Sequence, residues 1–131
     1  MLAMDDKVVY KELSYKIVGL LFEVYNALGY GYQERYYERA LAKCFKDEGI
    51  SFKQQVQYRI MFRDEEIGRY QLDFMVDNKI VLELKRGARF SKRSIEQVKG
   101  YLKVTGLQLA ILANFTPQGV NFLRILNTGD L

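Results

Sequence analysis

The sequence predicts an α/β fold in which helices flank a mixed central β-sheet. Apolar residues recur at helical spacing in the first third of the chain and again after Gly87, whereas they alternate with a period of two through the middle. A chain of 131 residues, 49% of them hydrophobic and only one of them proline, has the usual size of one domain around one core. We therefore expect a single domain over residues 1–131, in the order α, α, β, β, β, α, β and a short final element.

Two amphipathic helices are expected before the sheet. Residues 10–28 and 33–48 each place apolar side chains on one helical face. Glycines at positions 29, 31 and 49 end the two patterns. The sequence therefore predicts two successive helices before the sheet begins.

Three antiparallel strands are expected next. Apolar and polar residues alternate over residues 56–62 and 70–76, and an apolar run follows at 80–85. Polar turns at 63–66 and 77–79 separate these segments. A meander of three strands is the simplest arrangement.

A helix and a buried strand complete the predicted sheet. Residues 91–104 return to helical spacing, and 107–115 are mostly apolar, as in a strand covered on both faces. The helix then serves as a right-handed crossover that places this strand beside the third one. Residues 122–126 fit either a short edge strand or a helical turn.

The residue types that are missing restrict the chemistry. The sequence has no histidine and one cysteine, Cys44, which excludes imidazole triads, histidine zinc sites and an internal disulfide. Catalysis must then use carboxylates, lysine, tyrosine and a hard metal ion. The N-terminus lacks the pattern of a secretory signal, and no apolar run is long enough for a membrane span, so we expect a cytoplasmic protein without a membrane partner.

The predicted hairpin between the second and third strands brings two acids together. If the turn at 77–79 joins Val76 to Ile80, Asp73 lies directly opposite Glu83, with the Cβ atoms about 5 Å apart. Lys85, two residues further on, points to the same face. Opposed carboxylates require a shared proton or a cation, and carboxylate oxygens suit Mg²⁺ or Mn²⁺. A register slip of one residue would instead leave two unrelated acids.

A basic segment follows these residues. From Lys85 to Lys103 the sequence has seven basic residues and one acid, and Arg86, Arg89, Lys92 and Arg93 begin the segment. A polyanion that needs phosphate contacts and a metal would suit this arrangement, whereas a solvated helix face is the alternative.

The order of these motifs resembles the PD-(D/E)xK nuclease superfamily. Asp73 followed by Glu83-Leu84-Lys85 is similar to its signature, and the predicted order is similar to its restriction-endonuclease-like αβββαβ core. Residues 68–73 resemble the GxxxxD element of the RecB-like branch, and residues 97–101 its QxxxY element. Residues 31–37 resemble GxxExxY, the signature of a family of small proteins in this superfamily.

The resemblance implies a hydrolase that cleaves DNA, ahead of RNA, with Mg²⁺ or Mn²⁺. It implies metal ligation by Glu34, Asp73, Glu83 and the backbone carbonyl of Leu84, with Lys85 as the catalytic lysine. Near a helix N-terminus, Glu34 could instead simply favour the helix dipole.

The resemblance further implies that Gln97 and Tyr101 contact substrate or the catalytic residues. A surface hydrogen-bonded pair is the alternative for these two residues. A nuclease fold that binds nucleic acid or a protein partner without useful catalysis is the alternative function. A homodimer also remains open.

Aromatic side chains raise the question of base stacking. Tyr58, Phe62 and Phe74 occupy predicted inward strand positions, which favours a role in the core. Three tyrosines around the glycine loop, at positions 30, 32 and 36, are the candidates for surface contacts.

Overall fold

The computed structural model describes residues 9–128. Three helices and five strands form within these residues. Their bounds are α1 Lys11–Leu28, α2 Glu34–Asp47, β1 Phe52–Phe62, β2 Glu65–Val76, β3 Ile80–Arg86, α3 Lys92–Thr105, β4 Leu109–Thr116 and β5 Gly119–Leu126. The predicted α/β fold is confirmed, and the ends of its helices lie within one residue of the predicted ends. No helix of the described residues is both long and apolar enough to cross a membrane.

The five strands form one mixed sheet in the order β1-β2-β3-β4-β5. Neighbouring strands are antiparallel except β3 and β4, which are parallel and are connected through α3. The predicted pairing of the third strand with the buried strand is therefore confirmed. Since β3 and β4 lie inside the sheet, their continuous apolar runs are covered on both faces.

Helices cover both faces of the sheet. Leu82 and Leu84 of β3 are buried in the larger core, which α1 and α2 form with one face. Val81 lies in the smaller core under α3, with Val98 and Leu102 of that helix. Because successive strand residues point to opposite faces, Glu83 and Lys85 share the α3 side with Val81.

The hairpin between β1 and β2 is longer than the sequence predicts. Arg63 and Asp64 have φ values of 48° and 66°, and Phe62 pairs with Glu65 across this two-residue turn. Positive φ at both central residues is typical of the tight turns that suit twisted hairpins. The second strand therefore begins at Glu65 instead of residue 70.

The expectation for Phe62 is wrong, because its side chain is exposed. It lies beside the turn of this extended hairpin. Phe74 is buried in the larger core as expected, and Tyr58 packs against the smaller one. Cys44 is partly buried against the larger core, as its apolar neighbours suggest.

The last element is a strand. β5 pairs with β4 along its whole length, from Thr116 opposite Gly119 to Leu109 opposite Leu126. The helical-turn alternative is therefore wrong, and the edge strand starts three residues before the predicted position 122. The turn at Pro117 is tight, and the Thr116 hydroxyl donates to the carbonyl of Gly119 at 2.8 Å.

Candidate active site at the fork of two strands

The strands β2 and β3 are paired in the register that brings Asp73 and Glu83 face to face. Val76 pairs with Ile80, Met75 with Val81 and Phe74 with Leu82. Asp77 and Asn78 adopt φ values of 53° and 52°, which allows the chain to reverse within three residues. The predicted register is confirmed, and the alternative of a one-residue slip is excluded.

Beyond Phe74 and Leu82, side-chain carboxylates accept the hydrogen bonds of two backbone N–H groups in place of backbone carbonyls of the neighbouring strand. The backbone N–H of Asp73 donates to Glu83 Oε1 at 3.2 Å, and the N–H of Leu84 donates to Asp73 Oδ2 at 2.9 Å. Each acid thus accepts a hydrogen bond from the strand opposite its own. We call this place, where the pairing of the strands ends, the fork.

Both acids of the fork have raised pKa values, so they ionise less readily than exposed carboxyl groups. Burial is the main cause that raises the pKa of Glu83, to about 8, and the charge of Asp73 raises it further. Burial also raises the pKa of Asp73, to about 6, although the hydrogen bond from Leu84 opposes this. The two carboxylates therefore share a proton near neutral pH in the absence of a cation.

Lys85 is the positive side chain of the fork. Its Nζ lies 3.6 Å from Glu83 Oε2, and its side chain remains partly open to solvent. Its charge lowers the pKa of both acids, but burial and neighbouring acids outweigh it. One lysine thus leaves the fork short of positive charge.

A third acid approaches the fork from α2. Glu38 accepts hydrogen bonds from Gln54 at 2.9 Å and from Gln55 at 2.9 and 3.0 Å. The same Gln55 amide donates to Asp73 Oδ1 at 3.5 Å. The charge of Glu38 also contributes to the raised pKa of Asp73. Gln55 therefore bridges this acid to the fork.

Glu34 is the first residue of α2 and is exposed. No hydrogen bond or ion pair joins it to Asp73 or Glu83 within residues 9–128. It lies in the first helical turn, where the helix dipole favours an acid. Glu38 follows four residues later on the same face of the helix. Its spacing from Glu34 was the signal that could have singled out Glu38 in the sequence.

The donor set of the fork suits a hard cation. Asp73 and Glu83 offer carboxylate oxygens, and the carbonyl of Leu84 lies on the same strand edge as its N–H, which points to Asp73. Oxygen ligands of this kind suit Mg²⁺ and Mn²⁺, which keep several waters. Within the described residues, no group of three His, Cys, Asp or Glu side chains is assembled close enough for a metal. Water or substrate oxygens would complete the shell of an ion at the fork.

The helix α3 forms one wall beside the fork. Tyr101 is buried, and its ring meets Tyr70 of β2 edge to face at 5.2 Å. Burial, and then the charges of Glu83 and Asp73, raise the pKa of its hydroxyl, which is hydrogen-bonded with Gln97. Gln97 and Tyr101 are hydrogen-bonded to each other, but the alternative of a surface pair is wrong for Tyr101, which is buried. A Cβ at Gly100 would lie 2.7 Å from the Tyr70 hydroxyl, so a larger residue there would displace the Tyr70 side chain.

The basic residues predicted to contact substrate are exposed around the start of α3. Lys85, Arg86 and Arg89 line one small pocket, together with Phe90, Ser91, Ser94 and Asn114. Ser91 caps the helix by accepting a hydrogen bond from the Ser94 N–H at 3.0 Å. Lys92 and Arg93 lie in the first turn of the helix outside this pocket. Three cations and a helix N-terminus suit a phosphate group.

A larger groove lies elsewhere on the described surface. It runs between α1 and β5, its lining is mainly apolar and includes Tyr15, Val18 and Phe122, and it contains none of the acids of the fork. Size alone does not identify an active site, and we give more weight to the fork because its charged groups are buried and perturbed.

The mixed sheet, the acidic fork and the adjacent lysine together define a nuclease-like α/β protein. A sequence model of the PD-(D/E)XK nuclease superfamily matches residues 11–125. The chain belongs to this superfamily. No curated protein matches the sequence at a significant level.

Three solved structures are similar to this chain to different degrees, and the first of them shares its fold. The crystal structure of SSO0001 superposes with a TM-score of 0.59 at 19% identity, over 74% of this chain and 52% of that one. An alkaline exonuclease from Laribacter hongkongensis gives 0.48 at 11% identity, over 66% of this chain and 52% of that one. A phage-related exonuclease from Haemophilus somnus 129PT gives 0.47 at 13% identity, over 85% and 71%. The matched part spans about half the length of the first two structures.

Proposed function

We propose that this protein is a metal-dependent nuclease that hydrolyses phosphodiester bonds, with DNA favoured over RNA as substrate and Mg²⁺ or Mn²⁺ as cofactor. The observation that supports it most is the fork, where Asp73 and Glu83 are held face to face with Lys85 beside them. Membership of a nuclease superfamily implies a nucleic-acid substrate. The local excess of basic residues after the fork suits such a polyanion.

Asp73, Glu83 and the backbone carbonyl of Leu84 are the proposed ligands of the ion. Glu34 and Glu38, one helical turn apart on α2, are the acids that could add a ligand directly or through water. When bound, the ion supplies Lewis-acid stabilisation of the phosphate and lowers the pKa of a coordinated water.

Lys85 is the proposed catalytic lysine. Its Nζ lies 3.6 Å from Glu83 and its side chain is partly open to solvent, so it can reach both the fork and a bound phosphate. Two roles are consistent with this position. Nζ either orients or deprotonates the attacking water, or donates to a phosphate oxygen as negative charge develops.

Basic residues and Gln97 near the fork are the proposed substrate contacts. The pocket of Lys85, Arg86 and Arg89 binds a phosphate next to the scissile one. Lys92 and Arg93 contact phosphates further along the strand. Tyr101 stays protonated because its pKa is raised, and it positions the Gln97 amide towards the substrate.

Within the superfamily, we assign the chain to the GxxExxY group and to the RecB-like branch. Gly31, Glu34 and Tyr37 fall at the spacing of the first signature, and Gln97 and Tyr101 at the spacing of the QxxxY element. In this chain Tyr37, the tyrosine of the first signature, is a buried anchor and not a substrate contact.

The decisive experiment is a cleavage assay with matched carboxamide variants. Wild-type protein should cleave single- or double-stranded DNA in Mg²⁺ or Mn²⁺ and lose activity in a chelator. Glu83→Gln should abolish cleavage, whereas Asp47→Asn, at an exposed acid paired with a lysine on α2, should leave it unchanged. Cleavage that survives Glu83→Gln would contradict the assignment.

A second function is favoured by one observation, that among residues 9–128 the fork brings together two acids and not a group of three. A module that binds nucleic acid or a protein partner without turnover would show steeply salt-dependent DNA binding that is indifferent to Mg²⁺. A homodimer, which would enlarge the substrate footprint of so small a chain, is tested by light scattering with and without DNA.

A further inference from the structure

The loop between α1 and α2 and the start of α2 form an exposed aromatic and basic surface. We call it the tyrosine–arginine surface, and its residues are Tyr30, Tyr32, Arg35, Tyr36, Arg39 and Arg86. The three tyrosines are 39 to 45% exposed. Large aromatic side chains left this open are unusual enough as a cluster to indicate a binding site.

Arginines lie over the rings of this surface. The guanidinium of Arg86 is 5.0 Å from the ring centre of Tyr30, and that of Arg35 is 5.0 Å from Tyr36. Tyr32 meets Tyr36 edge to face at 6.3 Å, so the rings form one patch. The ion pairs of the described residues involve none of the surface's arginines. Their charges therefore remain available to a ligand.

A buried tyrosine fixes the loop from below. Tyr37 donates its hydroxyl to the carbonyl of Gly29 at 2.6 Å and accepts from the N–H of Tyr32 at 3.4 Å. Its ring stacks on Phe115 of β4 at 4.1 Å. Gly31 has a φ of 122°, which side-chain-bearing residues rarely adopt. The tyrosines are therefore presented by a rigid loop, which reduces the entropy lost on binding.

The surface adjoins the fork on two sides. Arg86, whose guanidinium lies over the ring of Tyr30, lines one pocket together with Lys85, the proposed catalytic lysine. Tyr36 and Arg39 flank Glu38 on α2, and Glu38 reaches the fork through Gln55. A ligand on the surface would extend directly from a phosphate at the fork.

We propose that the tyrosine–arginine surface binds unpaired bases of a single-stranded segment next to the scissile bond. The inference rests on the proposed nuclease function and names its substrate class. Exposed rings stack on bases of any sequence, and unpaired arginines attract the phosphates between them. In a duplex the faces of the bases are stacked on one another, so the substrate is single-stranded or frayed at the point of cleavage.

The test measures binding in a chelator, where no cleavage can occur. The probes are a fluorescent oligothymidylate, an abasic strand of equal length that keeps the sugar and phosphates, and a blunt duplex. The triple variant Tyr30→Ala, Tyr32→Ala, Tyr36→Ala should bind oligothymidylate about 10- to 100-fold more weakly, because it loses stacking. Binding of the abasic strand should remain unchanged.

Two control variants show whether the rings are responsible. The matching triple substitution to phenylalanine keeps the rings and should retain binding of oligothymidylate. Tyr15→Ala removes a tyrosine that is 81% exposed on α1 outside the surface, and it should have no effect. Thermal unfolding verifies the fold of each variant, and the single variants Tyr30→Ala and Tyr36→Ala replace the triple one if it unfolds.

The outcomes separate this inference from the nuclease proposal. If the triple alanine variant binds the oligothymidylate and the abasic strand equally more weakly than wild type, the inference is overturned. If it binds both as tightly as wild type, the inference is also overturned, and a protein partner for the surface is favoured. Since no step of the assay requires catalysis, a protein that binds as expected but never cleaves DNA would overturn only the nuclease proposal.

Discussion

Two lysine–carboxylate pairs of this protein differ in their exposure to solvent. Lys43 and Asp47 on α2 lie 2.9 Å apart, with side chains 73% and 56% exposed. Lys85 and Glu83 on β3 lie 3.6 Å apart, with side chains 29% and 5% exposed. The pair with the shorter distance is thus exposed to water, whereas the pair with the longer distance contains a buried acid.

The difference in burial determines what each pair contributes to stability. At the exposed pair, the hydrogen bond with Asp47 raises the pKa of Lys43, so the acid favours the charged form of the lysine. At the fork, burial and Asp73 raise the pKa of Glu83 in spite of Lys85. A buried acid pair with one lysine does not stabilise the fold by itself. We infer that the fork is built for an additional cation.

The largest expected difference between the pairs is in catalysis. Lys85→Met should lower kcat/KM for DNA cleavage by at least about 100-fold, because a positioned proton-transfer group contributes on the order of 10² to 10⁴. Lys43→Met should leave kcat/KM unchanged. Initial rates in Mg²⁺ check both variants, and similar rates for the two would remove the distinction between the pairs.

The next largest difference is in the response to a divalent ion. Mg²⁺ or Mn²⁺ at about 100 times its dissociation constant should increase the free energy of unfolding by about 2.7 kcal/mol, since it binds the folded state. The double variant Asp73→Asn, Glu83→Gln should lose this increase, and Asp47→Asn should keep it. Thermal unfolding with and without the ion measures it. An equal increase in all three proteins would place the ion elsewhere.

Replacing the acid by its amide should change the free energy of unfolding at the fork but not at the exposed pair. In the absence of metal at about pH 8, Glu83→Gln should stabilise the protein by on the order of 1 kcal/mol, since a raised pKa of one unit corresponds to about 1.4 kcal/mol. Asp47→Asn should have no measurable effect, because exposed pairs contribute little. Urea unfolding measures both. Destabilisation by Glu83→Gln would mean that the contact with Lys85 outweighs burial.

The last expected effect is the pH dependence of metal-free stability. The folded-state pKa values of Asp73 and Glu83 are raised, to about 6 and about 8, above ordinary carboxyl values. The folded state then holds protons that the unfolded state has released, so stability is fully present at acidic pH and decreases as the pH rises towards about 8. The double variant should show a flatter profile, which denaturant titrations at several pH values can check. A wild-type profile equally flat would contradict the burial of charge at the fork.

Local patterns predicted most of the fold. Alternation and helical spacing located the elements, and the turn at Asp77 and Asn78 determined the register that opposes Asp73 and Glu83. The long hairpin was missed because the polar residues Glu65 and Glu66 look like a turn. Only the left-handed conformation of Arg63 and Asp64 shows that the turn is confined to two residues.

The candidate site was predictable only where it depends on neighbouring strands. Asp73, Glu83 and Lys85 follow from one hairpin and the period of a strand. The approach of Glu38 through Gln55 depends on how α2 packs on the sheet, which no local pattern encodes. The burial of Tyr101 was missed for a similar reason, because it depends on the ring of Tyr70 from another element.

The most direct measurement is anomalous scattering from a crystal soaked in Mn²⁺ at neutral to alkaline pH. The account predicts a peak at the fork, within coordination distance of carboxylate oxygens of both Asp73 and Glu83. The same soak of the double variant Asp73→Asn, Glu83→Gln should lack that peak. An empty fork in the wild-type crystal, with the acids still paired as here, would contradict the central claim.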